Sequence, residues 1–223
     1  PRSTPLYSSA ASDVYKRQMN GLRAVSIVTL EQPVEYVLRP RKASIVQRDV
    51  GNDTRHMAHG INHALRLDAD VVAADSLQSA DAVEAAVLAA EAGHLVVGVV
   101  TAPDATRAIH RLLSPLTGEA LLAMRARLAD VLQVVVVQRM VPSTQPQRRM
   151  VACEILRVTP KISETIRDGA RMRELPRLLR ESEAEGSGST SLEASLNALV
   201  RARMMDPDIA AAITGPAAMT TEP

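Results

Sequence analysis

Two glutamates, Glu31 and Glu35, stand four residues apart just beyond a β-branched run, AVSIVT at 24–29. Carboxylates at the carboxyl end of a strand are well placed to hold Mg²⁺ or to orient a water, although solvation is the commoner reason for a surface glutamate. Three histidines follow at His56, His59 and His63 in the spacing H-x-x-H-x-x-x-H. Three imidazoles on one helix face could ligate Zn²⁺. No glutamate completes an HExxH pattern and no cysteine is near, so the stripe is read as solvated or subunit-facing, and no metal site is assigned. The phosphate-cradling run GxxxxGK[ST] occurs nowhere in the 223 residues. Without it no main-chain cradle or lysine reaches the β and γ phosphates of a nucleotide.

The elements that would position these groups centre on Leu65 to Val100. Val71 to Ala74 is a short apolar run between acidic residues and reads as a buried strand. Asp81 stands where an N-cap would, Glu84 follows three residues later, and the alanine-rich Ala82 to Ala92 reads as a helix stopped by Gly93. Leu95 to Val100 is a second strand. Strand, helix, strand is the crossover of a parallel sheet, with its ligand crevice at the strand ends.

Upstream, 24–29 reads as a strand, 30–36 as its end and turn with Pro33 closing it, and 44–53 as a second β segment ending at Gly51. Asp53 or Thr54 is expected to cap a helix to about Leu67, with Met57, Ala58, Ile61, Ala64 and Leu65 on one face and the histidines on the other. Downstream, Ala105 to Leu113 and Glu119 to Asp130 read as amphipathic helices separated by SPLTG. Leu132 to Met140 is expected to pair in antiparallel fashion with Met150 to Arg157. Helices then fill roughly 160–182 and 191–203, split by EAEGSGST, and a tail starts at Pro216. The expected domains are a partial core over 19–157 and a C-terminal helical region over 158–215. The core's strands are expected near 25–30, 70–74, 95–100 and 131–138.

Composition bounds the rest. With 46% apolar residues the chain can bury one substantial core. The 26 basic and 25 acidic residues nearly cancel, so charge suggests neither nucleic acid nor an anionic membrane as partner. No Phe or Trp and only 3 Tyr leave few platforms on which bases could stack. The lone Cys153 excludes an internal disulfide framework and fits a reducing compartment. No apolar stretch approaches the roughly 20 residues that cross a bilayer. Residues 1–18, PRSTPLYSSAASDVYKRQ, show no apolar periodicity and resemble translated adapter sequence at the ends of assembled environmental reads. They are expected to be foreign or disordered, with the authentic protein extending upstream.

Several separated motifs now match one family in order and spacing: VTLEQPVEY at 28–36, SIVQRDVGNDT at 44–54, ALRLDADVV at 64–72, AAEAGHLVVG at 89–98, EILRVTPKISETIR at 154–167 and STSLEASLNALV at 189–200. Together they resemble the type IV pilus and type II secretion ATPases, the pilus retraction motors above all, over nearly everything after residue 19. The resemblance implies an α/β fold with a partial RecA-like P-loop NTPase core and a C-terminal helical region. It implies ATP and Mg²⁺ as cofactors. It also implies a homo-hexamer or ring of related subunits, cytoplasmic and peripheral to the inner membrane, working on a membrane platform protein and not on nucleic acid. Glu31 and Glu35 match the family's Asp-box glutamates and His94 its first His-box histidine, which makes these three the catalytic candidates. Arg48 and Arg66 match its basic positions and are the cofactor-binding candidates. Plainer readings stand beside these: Arg66 as the charge balance of Asp68 and Asp70, and His94 as the end of a helix.

The sequence also departs from the family. Gln32 replaces the second Asp-box acid, Asp75-Ser76 replaces the Walker B Gly-Glu pair, Asn62 an arginine, and Thr101 the second histidine. Asp75 is a possible substitute for the missing Walker B glutamate, although strand alternation would aim it at the other face of the sheet. Two functions follow from the resemblance: an ATP-hydrolysing ring motor, or a non-hydrolysing paralogue that keeps the ring as a structural or regulatory subunit.

Overall fold

The computed structural model describes residues 9–145 and 148–214, with side chains from Tyr15 onward. The chain divides into two compact units, Pro1–Thr101 with Ala108–Val131, and Ala102–Arg107 with Leu132–Pro223.

The first unit is built on a parallel sheet of β1 (Ser26–Glu31), β2 (Ser44–Asp49), β3 (Val71–Ala74) and β4 (Leu95–Gly98), in the order β2-β1-β3-β4. Helix α1 (Ser9–Leu22) precedes the sheet, α2 (Met57–Arg66) and α3 (Ala80–Glu91) are its crossovers, and α4 (Ala105–Leu113), whose first residues to Arg107 belong to the second unit, and α5 (Gly118–Val131) follow it. Alternation along the strands sorts the two faces. Ile27, Ala43 and Val71 form a cluster with Met19 of α1, Ile45 and Val97, which puts α1 on that face. The opposite face carries Leu30, over which Gly60 of α2 sits so closely that an added Cβ would lie 2.7 Å from a Leu30 methyl. β3 is buried at every position, as a strand covered on both faces must be.

Three local expectations are corrected. Residues 9–22, expected to lack periodic structure up to residue 18, are helical, and α1 buries Lys16 and Asn20. Asn20 serves the loop before β2: its Nδ2 donates to Arg39 O at 2.8 Å and its Oδ1 accepts from Arg41 N at 2.8 Å. Neither Asp53 nor Thr54 caps α2. Asp53 accepts from Asp49 N and Thr54 bridges to Val50, so the helix starts later, behind an uncapped His56. For α3 the cap is Ser79, whose hydroxyl accepts from Ala82 N at 3.3 Å, while Asp81 lies in the first turn and favours it through the helix dipole.

In the second unit β5 (Val134–Pro142) and β6 (Arg149–Arg157) pair antiparallel, Val134 opposite Arg157 and Pro142 opposite Arg149. They form their own two-stranded sheet, so a strand at 131–138 does not belong to the parallel core as expected, and the division falls at residue 131 and not at 157. The reason is packing: Val141 and Ala152 of the hairpin share a buried cluster with Leu196 and Ala210 from the helices that follow and with Met205 from the connection between them. Those helices are α6 (Pro160–Asp168), α7 (Leu175–Ala184), α8 (Leu192–Arg201) and α9 (Pro207–Thr214). The expected helix over 160–182 is broken because Gly169 takes a φ of 72°, ending α6, and a 3-10 turn at Met172–Glu174 restarts the chain. The tail from Pro216 lies outside the described residues. Among the described residues no helix is long and apolar enough to cross a membrane.

Candidate functional site

Parallel sheets offer their ligand crevice at the carboxyl ends of the strands. In the first unit that edge carries Glu31 at the end of β1, Asp49 at the end of β2, Asp75 and Ser76 after β3, and Val100 and Thr101 after β4. Glu31 and Asp49 are register partners. Asp75 N donates to Leu30 O at 3.0 Å, continuing the ladder one step past β3, so alternation places Asp75 on the same face as Glu31.

Glu31 is buried, and one of its carboxylate oxygens gathers three partners. Its Oε1 accepts from Thr29 Oγ1 at 2.7 Å and Gln47 Nε2 at 3.0 Å, and Lys16 Nζ lies 3.3 Å away. Gln47 in turn accepts from Leu38 N and donates to Tyr36 O, which fixes the loop after β1. Thr29 shares the face of Glu31 by strand alternation, a signal present in the sequence. Gln47 and Lys16 arrive by register and by helix packing, which the sequence does not display.

The other candidates do not converge on Glu31. Glu35 lies exposed in the loop. His94 stands before β4, at the amino edge, where its Nδ1 is 2.7 Å from Ala69 O and donates to that carbonyl. The length of a four-residue strand, about 13 Å, separates it from the carboxyl edge. Its role in this fold is to join the chain entering β4 to the chain entering β3. Arg48 pairs in register with Leu30 and is therefore on the face opposite Glu31. Arg66 ends α2, which covers that same opposite face.

A cavity of about 260 Å³ opens at the carboxyl edge, lined by Leu77, Gln78, Val100, Thr101, Arg111 and Ser114. Arg111 and Gln78 were not anticipated from sequence, because α4 is brought to the edge only by the fold. Elsewhere, in the second unit, burial pushes the Glu154 carboxyl above its usual range, against the pull of Ala105 N, which donates to its Oε1 at 2.7 Å at the start of α4. Burial likewise raises the Cys153 thiol, which keeps it protonated and unreactive near neutral pH.

ATP with Mg²⁺ would need main-chain amides or a lysine for the phosphates and an uncommitted carboxylate for the metal. Lys16 and Glu31 are spent on each other, and no group of three His, Cys, Asp or Glu residues among the described residues could hold a metal. The described residues of this chain do not fit the nucleotide by themselves.

A family model described as "Type II/IV secretion system protein" matches residues 2–203. The chain is 28% identical over 192 residues to the twitching motility protein of Neisseria gonorrhoeae, covering 86% of this chain and 50% of the relative. It is 31% identical over 150 residues to the type IV pilus retraction ATPase PilT of Pseudomonas aeruginosa, covering 67% of this chain and 43% of the relative. The chain thus spans about half the length of the curated relatives it matches. The crystal structure of the pilus retraction motor PilT with bound ADP superposes with a TM-score of 0.79 at 27% identity, over 96% of this chain and 59% of that one. The parallel α/β core is RecA-like, and the chain belongs to the type II/IV secretion system protein family.

Proposed function

We propose that this chain is part of a ring-forming, ATP-driven motor subunit of the type IV pilus and type II secretion class, hexameric and peripheral to the inner membrane. The observation that carries the reading is the likeness to the ADP-bound retraction motor along almost the whole chain. In this reading the first unit supplies the carboxyl edge with Glu31, Asp75 and Thr101. The phosphate-binding groups come from outside the 223 residues. Glu31 holds Lys16, Thr29 and Gln47 in place and so shapes the edge.

One observation favours a second reading, a non-hydrolysing ring subunit. Ser76 stands where the resemblance expects the glutamate that orients the attacking water, and a hydroxyl cannot accept that proton near neutral pH. Loss of such a group costs about 10² to 10⁴ in rate. Asp75, on the Glu31 face, is the candidate substitute. Two measurements test the pair of readings. Calorimetric titration of the 223-residue chain with ATP and Mg²⁺ is expected to give no tight binding, and tight binding would contradict the division of labour proposed here. A steady-state ATPase assay on the full-length protein separates motor from scaffold: robust turnover abolished by Asp75→Ala supports the motor, whereas negligible turnover raised by Ser76→Glu supports the scaffold.

A further inference from the structure

The two strands of the hairpin in the second unit differ in what meets their outer edges. On β6 three successive outward amides have acceptors: Cys153 N donates to Ser195 Oγ at 3.0 Å, Ile155 N to Thr190 O at 2.8 Å and Arg157 N to Ser189 Oγ at 3.2 Å. These residues stand opposite Gln138, Val136 and Val134 of β5. In an antiparallel pair, two opposed residues that do not bond each other both turn their N–H and C=O groups outward. Val134, Val136 and Gln138 therefore face away from β6, and alternation adds Met140. Among the described residues none of these four amides or carbonyls has a hydrogen-bond partner. The side chains of the same set are bare as well: Val134, Val136 and Met140 are 47%, 37% and 41% exposed, and Val151, opposite Met140, is 43% exposed. Edge strands are ordinarily protected by shortness, a bulge, a proline or a lysine. β5 has nine residues, pairs without a break from Val134 to Pro142 and opens with four valines. Its proline comes only at the last position, and Arg139, its one charged residue, alternates onto the other face.

We infer that the outer edge of β5 takes a further β-strand, supplied by this protein's own polypeptide outside the 223 residues. Main-chain donors and acceptors that recur at every second residue, about 7 Å apart, match an extended segment and neither an ion nor a helix. The residues that this strand sets beside Val134, Val136 and Met140 are apolar, because a charge placed against that row would lose water without gaining a partner. An unprotected edge of such composition pairs with like edges in solution. Cover from the same polypeptide removes that hazard permanently, whereas a transient partner leaves the edge open between encounters. The chain spans 50% of the Neisseria gonorrhoeae relative and 59% of the retraction-motor structure, so a protein of that length holds the polypeptide the strand requires. The inference rests on the reading of this chain as part of a larger motor subunit, and it stands whether or not that subunit hydrolyses ATP.

The test is residue-resolved amide hydrogen exchange on the 223-residue chain and on the full-length protein. The amides of Val134, Val136, Gln138 and Met140 should exchange freely in the shorter chain and roughly 100-fold or more slowly in the full-length protein, while Val135, Val137 and Arg139, bonded to β6, are protected in both. Val136→Pro removes one outward N–H and should lower the urea midpoint of the full-length protein far more than that of the shorter chain. Val136→Lys keeps the amide and sets a charge on the exposed row, so it gives the same contrast should the proline variant fail to fold. Equal exchange of the four amides in both proteins would overturn the inference. So would protection that rises with the concentration of the 223-residue chain, which assigns the edge to a second copy, or protection of the full-length protein that vanishes when its subunits are separated by dilution, which assigns it to a neighbouring subunit. Protected amides in a full-length protein without ATPase turnover would uphold the strand and count against the motor alone.

Discussion

The two faces of the β1–β2 pair treat charge in opposite ways. On the α1 face Glu31 is buried with a lysine, a threonine and a glutamine around one carboxylate oxygen. One residue along each strand, on the α2 face, Leu30 sits beside Arg48, and the nearby helix adds two histidines and another arginine. The first face is neutralised internally and can be sealed from water. The second is not, and it remains half-open, because cations without counter-charges are tolerated only where water or a ligand reaches them. A glutamate in a family motif need not be free for chemistry, and an arginine of a neighbouring motif can carry the unspent charge.

The largest effect expected is on the sealed face. Lys16→Met leaves the Glu31 carboxyl buried against an apolar chain without its cation and should cost about 3–5 kcal/mol in urea denaturation, while adding Glu31→Gln should recover most of the loss. The side chains of this pair are 1% and 4% exposed. A single-variant cost under about 1 kcal/mol would mean that water reaches the pair and that the contrast between the faces fails.

Gly60→Ala tests how closely α2 is held to the open face. The new Cβ would meet Leu30 Cδ2 at 2.7 Å, Leu30 Cδ1 at 3.1 Å and Thr54 Cγ2 at 3.2 Å. Leu30 has no exposed surface and cannot swing away, so a loss of about 1–3 kcal/mol is expected. The same variant should weaken the influence of Arg48 on His63, which a histidine titration would read as a rise in the His63 pKa.

An exposed pair in the same unit gives the lower reference. Arg127 makes two hydrogen bonds to Glu91, both 2.8 Å, linking α5 to α3 at the surface. Arg127→Gln should cost less than about 1 kcal/mol, because solvent screens the pair. A cost matching that of Lys16→Met would show that burial is not what separates the two cases.

The smallest effect is the pH dependence. The His63 pKa is depressed below its ordinary value of 6.5, so as pH falls through 6.5 the unfolded chain takes up its proton first. The His63 contribution to stability is therefore fully present above 6.5 and is lost as pH falls through the lowered native value. Arg48→Gln should flatten this decline more than Arg66→Gln, and Arg66→Gln more than His59→Gln, in urea titrations from pH 7.5 to about 5. The reverse order would place Arg48 away from His63.

Much of this molecule is written locally in the sequence. The runs Val71–Ala74 and Ala105–Leu113 mark a strand and a helix at the bounds observed, because apolar periodicity and Gly or Pro punctuation act over a few residues. The family could be named from motifs alone for a similar reason: their order survives substitution of single chemical groups such as Ser76 and Thr101. What the tertiary structure decided is which side chains meet. Nothing near Glu31 in the sequence announces Lys16 or Gln47, since a parallel register and a helix docked across it bring together residues up to 16 apart. His94 and Glu31 belong to motifs that act together in the resemblance, yet here they occupy opposite edges of one sheet, because His94 precedes its strand and Glu31 ends one. Strand direction and face are properties of the assembled sheet, and they determined which of the candidate residues could share a site.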